Sequence, residues 1–308
     1  MQDAAEHLPK TAPRRSAALM TANRVINACH VDDPSTFSEA RKIASEWLSA
    51  TSGDHSARVC ATGHCHIDTA WLWTYAETVR KCARSWTTQL RLIREYDGYV
   101  FACSQAQQYA WIKESYPDLF SAIRTAVAEK RFLPVGGTWV EMDCNLPSGE
   151  SLIRQFIEGQ AFFEKEFGVR CREFWLPDTF GYASQLPQIM RAAGIEYFLT
   201  QKLSWNLTNK FPHSSFVWEG MDGSRVLAHF PPAETYISHG NVHDVLKSSS
   251  NNQDAGLVNE SILLFGHGDG GGGATPQMLE SLTRMKNVEG LPRVEFEHPT
   301  NFFDRLKK

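Results

Sequence analysis

Seven short apolar runs punctuate the chain at Val59–Thr62, Tyr99–Cys103, Phe132–Val135, Phe174–Leu176, Tyr197–Thr200, Val226–Phe230 and Ile262–Phe265. Each has the length of a strand, and sequence of helical period separates most of them. The plainest helix comes after the first run. Leu72, Tyr75, Val79, Cys82, Trp86, Leu90 and Ile93 recur at three- and four-residue steps until Asp97-Gly98 ends the pattern. One interval differs: Ser215–Glu219 and Arg225–Phe230 flank Met221-Asp222-Gly223 and read as a hairpin. Strands joined by helical crossovers predict an α/β fold, a seven-stranded parallel β/α barrel with right-handed connections. The 308 residues suffice for such a barrel, which takes about 250.

Ahead of the first run, residues 1 to about 20 are polar and aperiodic and read as a disordered lead-in. Thr21–Leu48 is weakly helical, with N-cap candidates from Asp33 onward, and a Ser/Thr/Gly-rich loop covers Ser49–His55.

The residues just after each apolar run carry the chemical information. The first run leads into Gly-His-Cys-His-Ile-Asp, the second into Ser104-Gln105 and the third into Gly-Gly-Thr-Trp-Val-Glu-Met-Asp. The fourth ends in Pro-Asp-Thr-Phe-Gly, the fifth in Gln-Lys, the sixth in His229-Phe and the seventh in Gly-His-Gly-Asp-Gly. Polar groups thus gather at the C-terminal strand ends, where barrel enzymes place their chemistry. A net charge of −4 offers no basic field for nucleic acid. No apolar run approaches the roughly 20 residues of a membrane span, and the N-terminus lacks the apolar stretch of a secretory signal. The seven cysteines are odd in number and scattered, a pattern of reduced cytoplasmic thiols rather than a disulfide framework. The nine tryptophans include candidates for stacking on sugar rings, although most tryptophans in any enzyme are buried.

Three constellations stand out. His66 and Asp68, two residues apart at a strand end, offer an imidazole nitrogen and a carboxylate oxygen suited to Zn²⁺ or a similar divalent ion. A lone His-x-Asp is more often a buried, hydrogen-bonded histidine, but the concentration of polar ligand types at a barrel mouth favours a site. Asp178 comes directly after the fourth strand, and its competing role is a helix N-cap for Gln185–Ala193. His267 and Asp269 sit in a run of glycines that permits close backbone approach. A phosphate loop is the rival there, but the Gly-Lys-Ser/Thr ending is missing; a plain hinge would have little use for the two polar side chains. Metal ligands plus two or more carboxylates carry the reading as far as metal-assisted hydrolysis. A glycosidase needs two carboxylates on opposite sides of one bond.

The segments GHCHIDTAWLW, FLPVGGTWVEMDCNLPSGESLIRQF, FWLPDTFGYASQLPQIM, FLTQKLSWN, FVWEGMDGSRVLAHFPP and LLFGHGDGGGG resemble glycoside hydrolase family 38. The similarity is greatest to its cytosolic α-mannosidase branch and runs in order from about Thr21 to the C-terminus. The resemblance implies a catalytic barrel over 58–308, preceded by a lead-in over 1–57. It implies Zn²⁺, or Co²⁺ as in some cytosolic relatives, on His66, Asp68 and Asp178. Asp178 would also be the nucleophile of a retaining mechanism and Asp269 the general acid. Trp71, Phe180 and Lys202 match substrate-pocket positions, with His267 a further polar contact. The implied substrate is a mannose-containing oligosaccharide, free or derived from N-glycans, and the implied location cytoplasmic. Relatives complete the metal site with a histidine from a later helical domain, in a motif absent here. The expectation is therefore an isolated barrel whose exposed face would pack on that domain or on a second copy of the chain. Two rival readings are a metal-dependent carbohydrate deacetylase and a catalytically silent carbohydrate-binding fragment.

Overall fold

The structure, a computed structural model, describes residues 3, 6, 13–49 and 57–308. The loop expected at 49–55 lies almost wholly outside them, as does most of the expected disordered lead-in. From Pro13 onward that lead-in is instead helical. Helix α1 spans Pro13–Ala28 and packs on α2, Phe37–Ser49, which buries Ala40, Ile43 and Trp47 along one face. Asp33 begins the turn before α2 by accepting from Ser35 N at 3.0 Å.

The main body then runs β1 Arg58–His64, α3 Tyr75–Glu95, β2 Phe101–Cys103, α4 Ala106–Ser115, α5 Pro117–Ala128, β3 Phe132–Pro134, α6 Gly149–Phe167, β4 Glu173–Leu176, α7 Leu186–Ala192, β5 Tyr197–Thr200, β6 Ser215–Glu219, β7 Arg225–His229, α8 Val242–Ser250, β8 Glu260–Phe265, α9 Pro276–Arg284, β9 Arg293–Phe296 and α10 Pro299–Leu306. Each of the seven apolar runs forms a strand. The hairpin also forms: β6 pairs antiparallel with β7 across Gly223, whose φ of 83° suits a tight turn. Helix α3 starts later than its pattern predicts. Thr74 caps it by accepting from Glu77 N, which leaves Trp71 and Leu72 on the surface beyond its first turn.

The fold is mixed α/β with parallel sheets, but the closed seven-stranded barrel expected from the crossovers is not what the ladders make. Among the described residues nine strands form two sheets, β3-β2-β1-β8 with β9 also on β1, and β4-β5-β7-β6. The apolar runs give no sign of β9, which pairs with Arg58–Ala61 on the edge of β1 that β2 takes up at Gly63. Two seams lack ladders for local reasons. At the first, β3 ends in Pro134, which has no N–H to donate, and Gly136-Gly137 turns the chain away at positive φ. At the second, a side chain takes the place of a backbone acceptor: Ile262 N of β8 donates to His229 Nε2 at 3.2 Å. A short backbone bridge through Ser238 spans the same seam.

The two sheets still enclose one interior. Cys60, Ala102, Leu133, Trp175, Leu199, Ile262 and Leu264 face inward, while their strand neighbours Ala61, Phe101, Phe174, Phe198 and Phe265 face the helices. Phe302 and Phe303 of α10 close the interior from below. His229, expected among the polar groups at the mouth, belongs to this floor. It is fully buried against Phe302, and because its Nε2 accepts from Ile262, its Nδ1 donates to Ser215 Oγ, 2.9 Å away. Burial pushes its pKa down to about 3.

Glu173 ties α10 to the start of β4, accepting from Thr300 Oγ1 at 2.9 Å. Burial pushes its carboxyl from 4.5 up to about 7. The folded state therefore keeps a proton that the unfolded chain releases, and stability falls as pH rises from about 4.5 to about 7. The scale is about 3 kcal/mol. Glu173→Gln is expected to flatten that slope, as read from urea midpoints across this pH range.

Candidate active site

The C-terminal end of β1 delivers His66 in a buried position, and three carboxylates converge on its ring. Nδ1 lies 2.8 Å from Glu141 Oε2. Nε2 lies 3.2 Å from Asp68 Oδ1 and 3.2 Å from Asp178 Oδ2. Burial alone would lower the imidazole pKa, but Glu141, then Asp178 and Asp68, outweigh it and hold His66 well above the ordinary histidine range. Asp178 reaches the ring from the end of β4. Its other oxygen is ion-paired in close contact with Lys202, which sits on a short 3-10 turn, Lys202–Trp205, after β5. Burial raises the Asp178 carboxyl, yet His66 and Lys202 more than offset this and hold it below the usual carboxylate range. The N-cap role considered for Asp178 is not the one it takes, since α7 begins only at Leu186.

Asp269 joins from the glycine-rich loop after β8. One donor atom each from His66, Asp178 and Asp269 lies within 4.8 Å of the others. Asp68 meets the same imidazole nitrogen but stands outside that tighter trio. Asp269 adopts φ 58°, a left-handed conformation that Asp tolerates better than most residues. Tyr236 donates to its Oδ1 at 2.7 Å.

The glycine-rich loop is tied down on both sides. His267 and Gly273 exchange backbone hydrogen bonds at 2.8 Å. Gln89 of α3 donates to the carbonyls of Gly272 and Ala274, and Ser85 accepts from Gly272 N. A Cβ on Gly273 would meet Gln89 Nε2 at 2.5 Å, so glycine is needed for this close approach. Asp68 N donates to Asp269 O at 3.3 Å, which fastens the loop to the His66 segment.

The remaining expected residues divide. Lys202 is buried and capped by aromatic faces, its Nζ 3.2 Å from the Trp205 ring centre and 4.6 Å from that of Phe180. Phe180 and Trp205 themselves are largely exposed, as is Trp71. His267 points elsewhere: it is exposed and its ring faces His239, 5.7 Å away. Four carboxylates (Asp68, Glu141, Asp178 and Asp269) therefore stand against one ammonium, Lys202. This imidazole-plus-carboxylate set with excess negative charge fits a borderline divalent cation.

Comparison with known proteins decides the family. The sequence profile described as "Glycosyl hydrolases family 38 N-terminal domain" matches residues 56–308. The chain belongs to glycoside hydrolase family 38. It is 55% identical to human "Alpha-mannosidase 2C1" over 98% of its own length and 29% of that protein's. It is 54% identical to Dictyostelium discoideum "Alpha-mannosidase G" over 100% of its own length and 28% of that protein's. It thus spans under a third of the length of these relatives. In fold it is similar to a solved α-mannosidase from Enterococcus faecalis, at 18% identity and a TM-score of 0.68, covering 82% of this chain and 29% of that one.

Three residues at this family 38 site escape a reading of the sequence: Glu141, Tyr236 and Trp205. Glu141 carries a signal, because it lies after the third strand inside Gly-Gly-Thr-Trp-Val-Glu, and its fold position explains its reach. Gly159 of α6 lets that segment approach closely; a Cβ there would meet the Thr138 backbone at 2.4 Å. Tyr236 and Trp205 carry none beyond proximity to strand ends. The Lys202–Asp178 pair yields a direct check. Lys202→Met is expected to raise the Asp178 pKa in metal-free protein, because the ammonium that stabilises the carboxylate is lost, measured by carboxyl ¹³C NMR titration.

Proposed function

We propose that this chain forms the catalytic unit of a retaining α-mannosidase that releases terminal α-linked mannose from free oligosaccharides or N-glycan-derived mannosides. The observation that carries this reading is the convergence of Asp178 and Asp269 beside His66, one oxygen of each carboxylate lying within 4.8 Å of the other, a closeness that favours the shorter of the two separations glycosidases use. Retaining glycosidases hold their two carboxyl groups about 5–5.5 Å apart, whereas inverting ones need about 6.5 Å or more to admit a water. The names of the relatives supply the substrate class. We take residues 58–308 as the catalytic unit and 1–57 as its lead-in. Seven free thiols among the described residues support a cytoplasmic setting, and among those residues no helix is long and apolar enough to cross a membrane.

In this mechanism Asp178, kept ionised by His66 and Lys202, attacks the anomeric carbon as Asp269 gives its proton to the departing glycosidic oxygen. The glycosyl ester on Asp178 is then opened by water, whose proton passes to Asp269, so the anomeric configuration is retained. A Zn²⁺ or Co²⁺ ion held by His66, Asp68 and Asp178 would supply electrostatic stabilisation and fix the sugar hydroxyls. Glu141 Oε2, 2.8 Å from His66 Nδ1, would favour the proton on that nitrogen and leave Nε2 to ligate; such outer carboxylates orient a metal-binding imidazole. Phe180 and Trp71 would pack on the sugar, and Lys202 would hold Asp178. Exposed apolar side chains at Trp71, Leu72, Tyr75 and Leu207 support packing of a further domain of the longer relatives' kind against this end.

Asp178→Ala is expected to lower turnover of a synthetic α-mannoside by at least about 10³-fold and to weaken metal binding with it. Intact metal binding in that variant would contradict its dual role. Glu141→Gln is expected to lower Zn²⁺ affinity about 10–100-fold, measured by competition with a chromophoric chelator. Release of acetate from an N-acetylated sugar, without mannoside cleavage, would favour the deacetylase reading, and sugar binding without turnover the silent fragment.

A further inference from the structure

The segment between β2 and α4 holds a strained residue that the proposed chemistry does not use. Gln105 keeps φ at 70° and ψ at 85°. This is a left-handed conformation that only glycine and, at times, Asn or Asp adopt readily. Gln105 stands at the N-cap of α4, yet its side chain makes no capping bond there. Ser or Asp would cap the helix, and glycine would take the backbone without strain. Strain of this kind persists only where the surroundings impose it.

The contacts of its side chain show what imposes it. Gln105 is 3% exposed, and its amide is paired at both ends. Nε2 donates to Ile67 O at 3.0 Å. Oε1 accepts from Thr69 Oγ1 at 2.7 Å and from Glu141 N at 3.1 Å. A carbonyl can only accept and a backbone N–H can only donate, so the amide cannot be turned over. Ile67 and Thr69 flank Asp68 on the segment after β1, whereas Glu141 belongs to the segment after β3. The backbone that follows Gln105 strengthens the join. Ala106 N donates to Thr138 O at 3.2 Å, and Gln107 N donates to Trp139 O at 2.9 Å. On its other side, Ser104 Oγ donates to Glu141 Oε1. Glu141 is thus held by its N–H and by one oxygen, with Oε2 left 2.8 Å from His66 Nδ1.

We propose that Gln105 is a positioning residue for the metal centre: its amide locks the Glu141 segment to the Ile67–Thr69 segment and so fixes the Glu141 carboxylate against His66. The proposal rests on the reading of His66, Asp68 and Asp178 as metal ligands. An outer carboxylate orients a ligating imidazole through a hydrogen bond, and groups carried on loops need a supporting shell to stay within that range. Glutamine suits the task because one planar group offers an acceptor for two donors and a donor for a carbonyl. Glutamate would set a carboxylate oxygen against Ile67 O. Methionine would lose all three bonds.

The test measures Zn²⁺ affinity, by competition with a chromophoric chelator, in Gln105→Met, Glu141→Ala and the double variant. Gln105→Met alone is expected to weaken Zn²⁺ binding about tenfold, as for loss of an outer partner. In the Glu141→Ala background the same substitution is expected to change affinity by less than about twofold, because the group it positions is gone. Thr69→Val keeps Gln105 and removes one bond to its amide. It runs through the same cycle in case Gln105→Met fails to fold, with the same coupling expected at smaller amplitude. Equal losses with and without Glu141 would mean that Gln105 supports the loops in general. Unchanged affinity in the single variants would mean that it positions nothing. Either result overturns the proposal while leaving the ligand assignment intact. Failure of the unsubstituted protein to bind Zn²⁺ overturns that assignment, and the proposal with it.

Discussion

Strand β1 is buried on both faces from Val59 to His64, and three other strands pair to it: β8 along one edge, β9 and then β2 along the other. A strand in that position cannot shift register, because a one-residue slip would exchange its inward and outward side chains. Its C-terminal end is therefore a fixed point, and His66 is held there. The site elements are placed relative to it: Gln105 and Gln108 both donate to Ile67 O, and the glycine-rich loop is fastened through Asp68 and Asp269. The rigidity of the metal-type cluster thus derives from the most constrained strand of the fold.

A concentration of negative charge around one buried imidazole is costly unless a cation or protons compensate for it. In this chain His66 and Lys202 supply part of the compensation. The same arrangement that would attract a divalent ion also keeps Asp178 ionised, which a nucleophile requires. On the proposed reading, cation attraction and nucleophile activation would be one electrostatic arrangement rather than two, and Lys202 would belong to both because the aromatic faces of Trp205 and Phe180 hold its ammonium in place.

Much of this is legible in the chain. Period and run length locate the seven strands, and polar residues after them mark His66, Asp68, Asp178 and Asp269. The departures have particular causes. Apolar spacing overextends helix α3 because Leu72 continues it, although Thr74 caps the helix after that residue. Strand β9 leaves no trace among the apolar runs because Arg293–Phe296 alternates charged and apolar residues over only four positions and gains its order by pairing with Arg58–Ala61 of β1. His229 resembles a mouth residue because its place after an apolar run is like that of His66, yet it is buried against Phe302.

The sequence by itself determined what is local: strand and helix periods, the turn at Gly223, the positions of glycine, and the ligand-type residues at strand ends. It also determined the family, because long motifs recur in order. Only the tertiary structure decided how the strands close. Pro134 lacks a donor and His229 intercepts one, so two sheets share an interior without a continuous ladder. Only the tertiary structure brought Glu141 to the far nitrogen of His66 and Tyr236 to Asp269, and turned His267 away. These are contacts between segments far apart in the chain, and no local pattern encodes which of many polar residues at strand ends will meet.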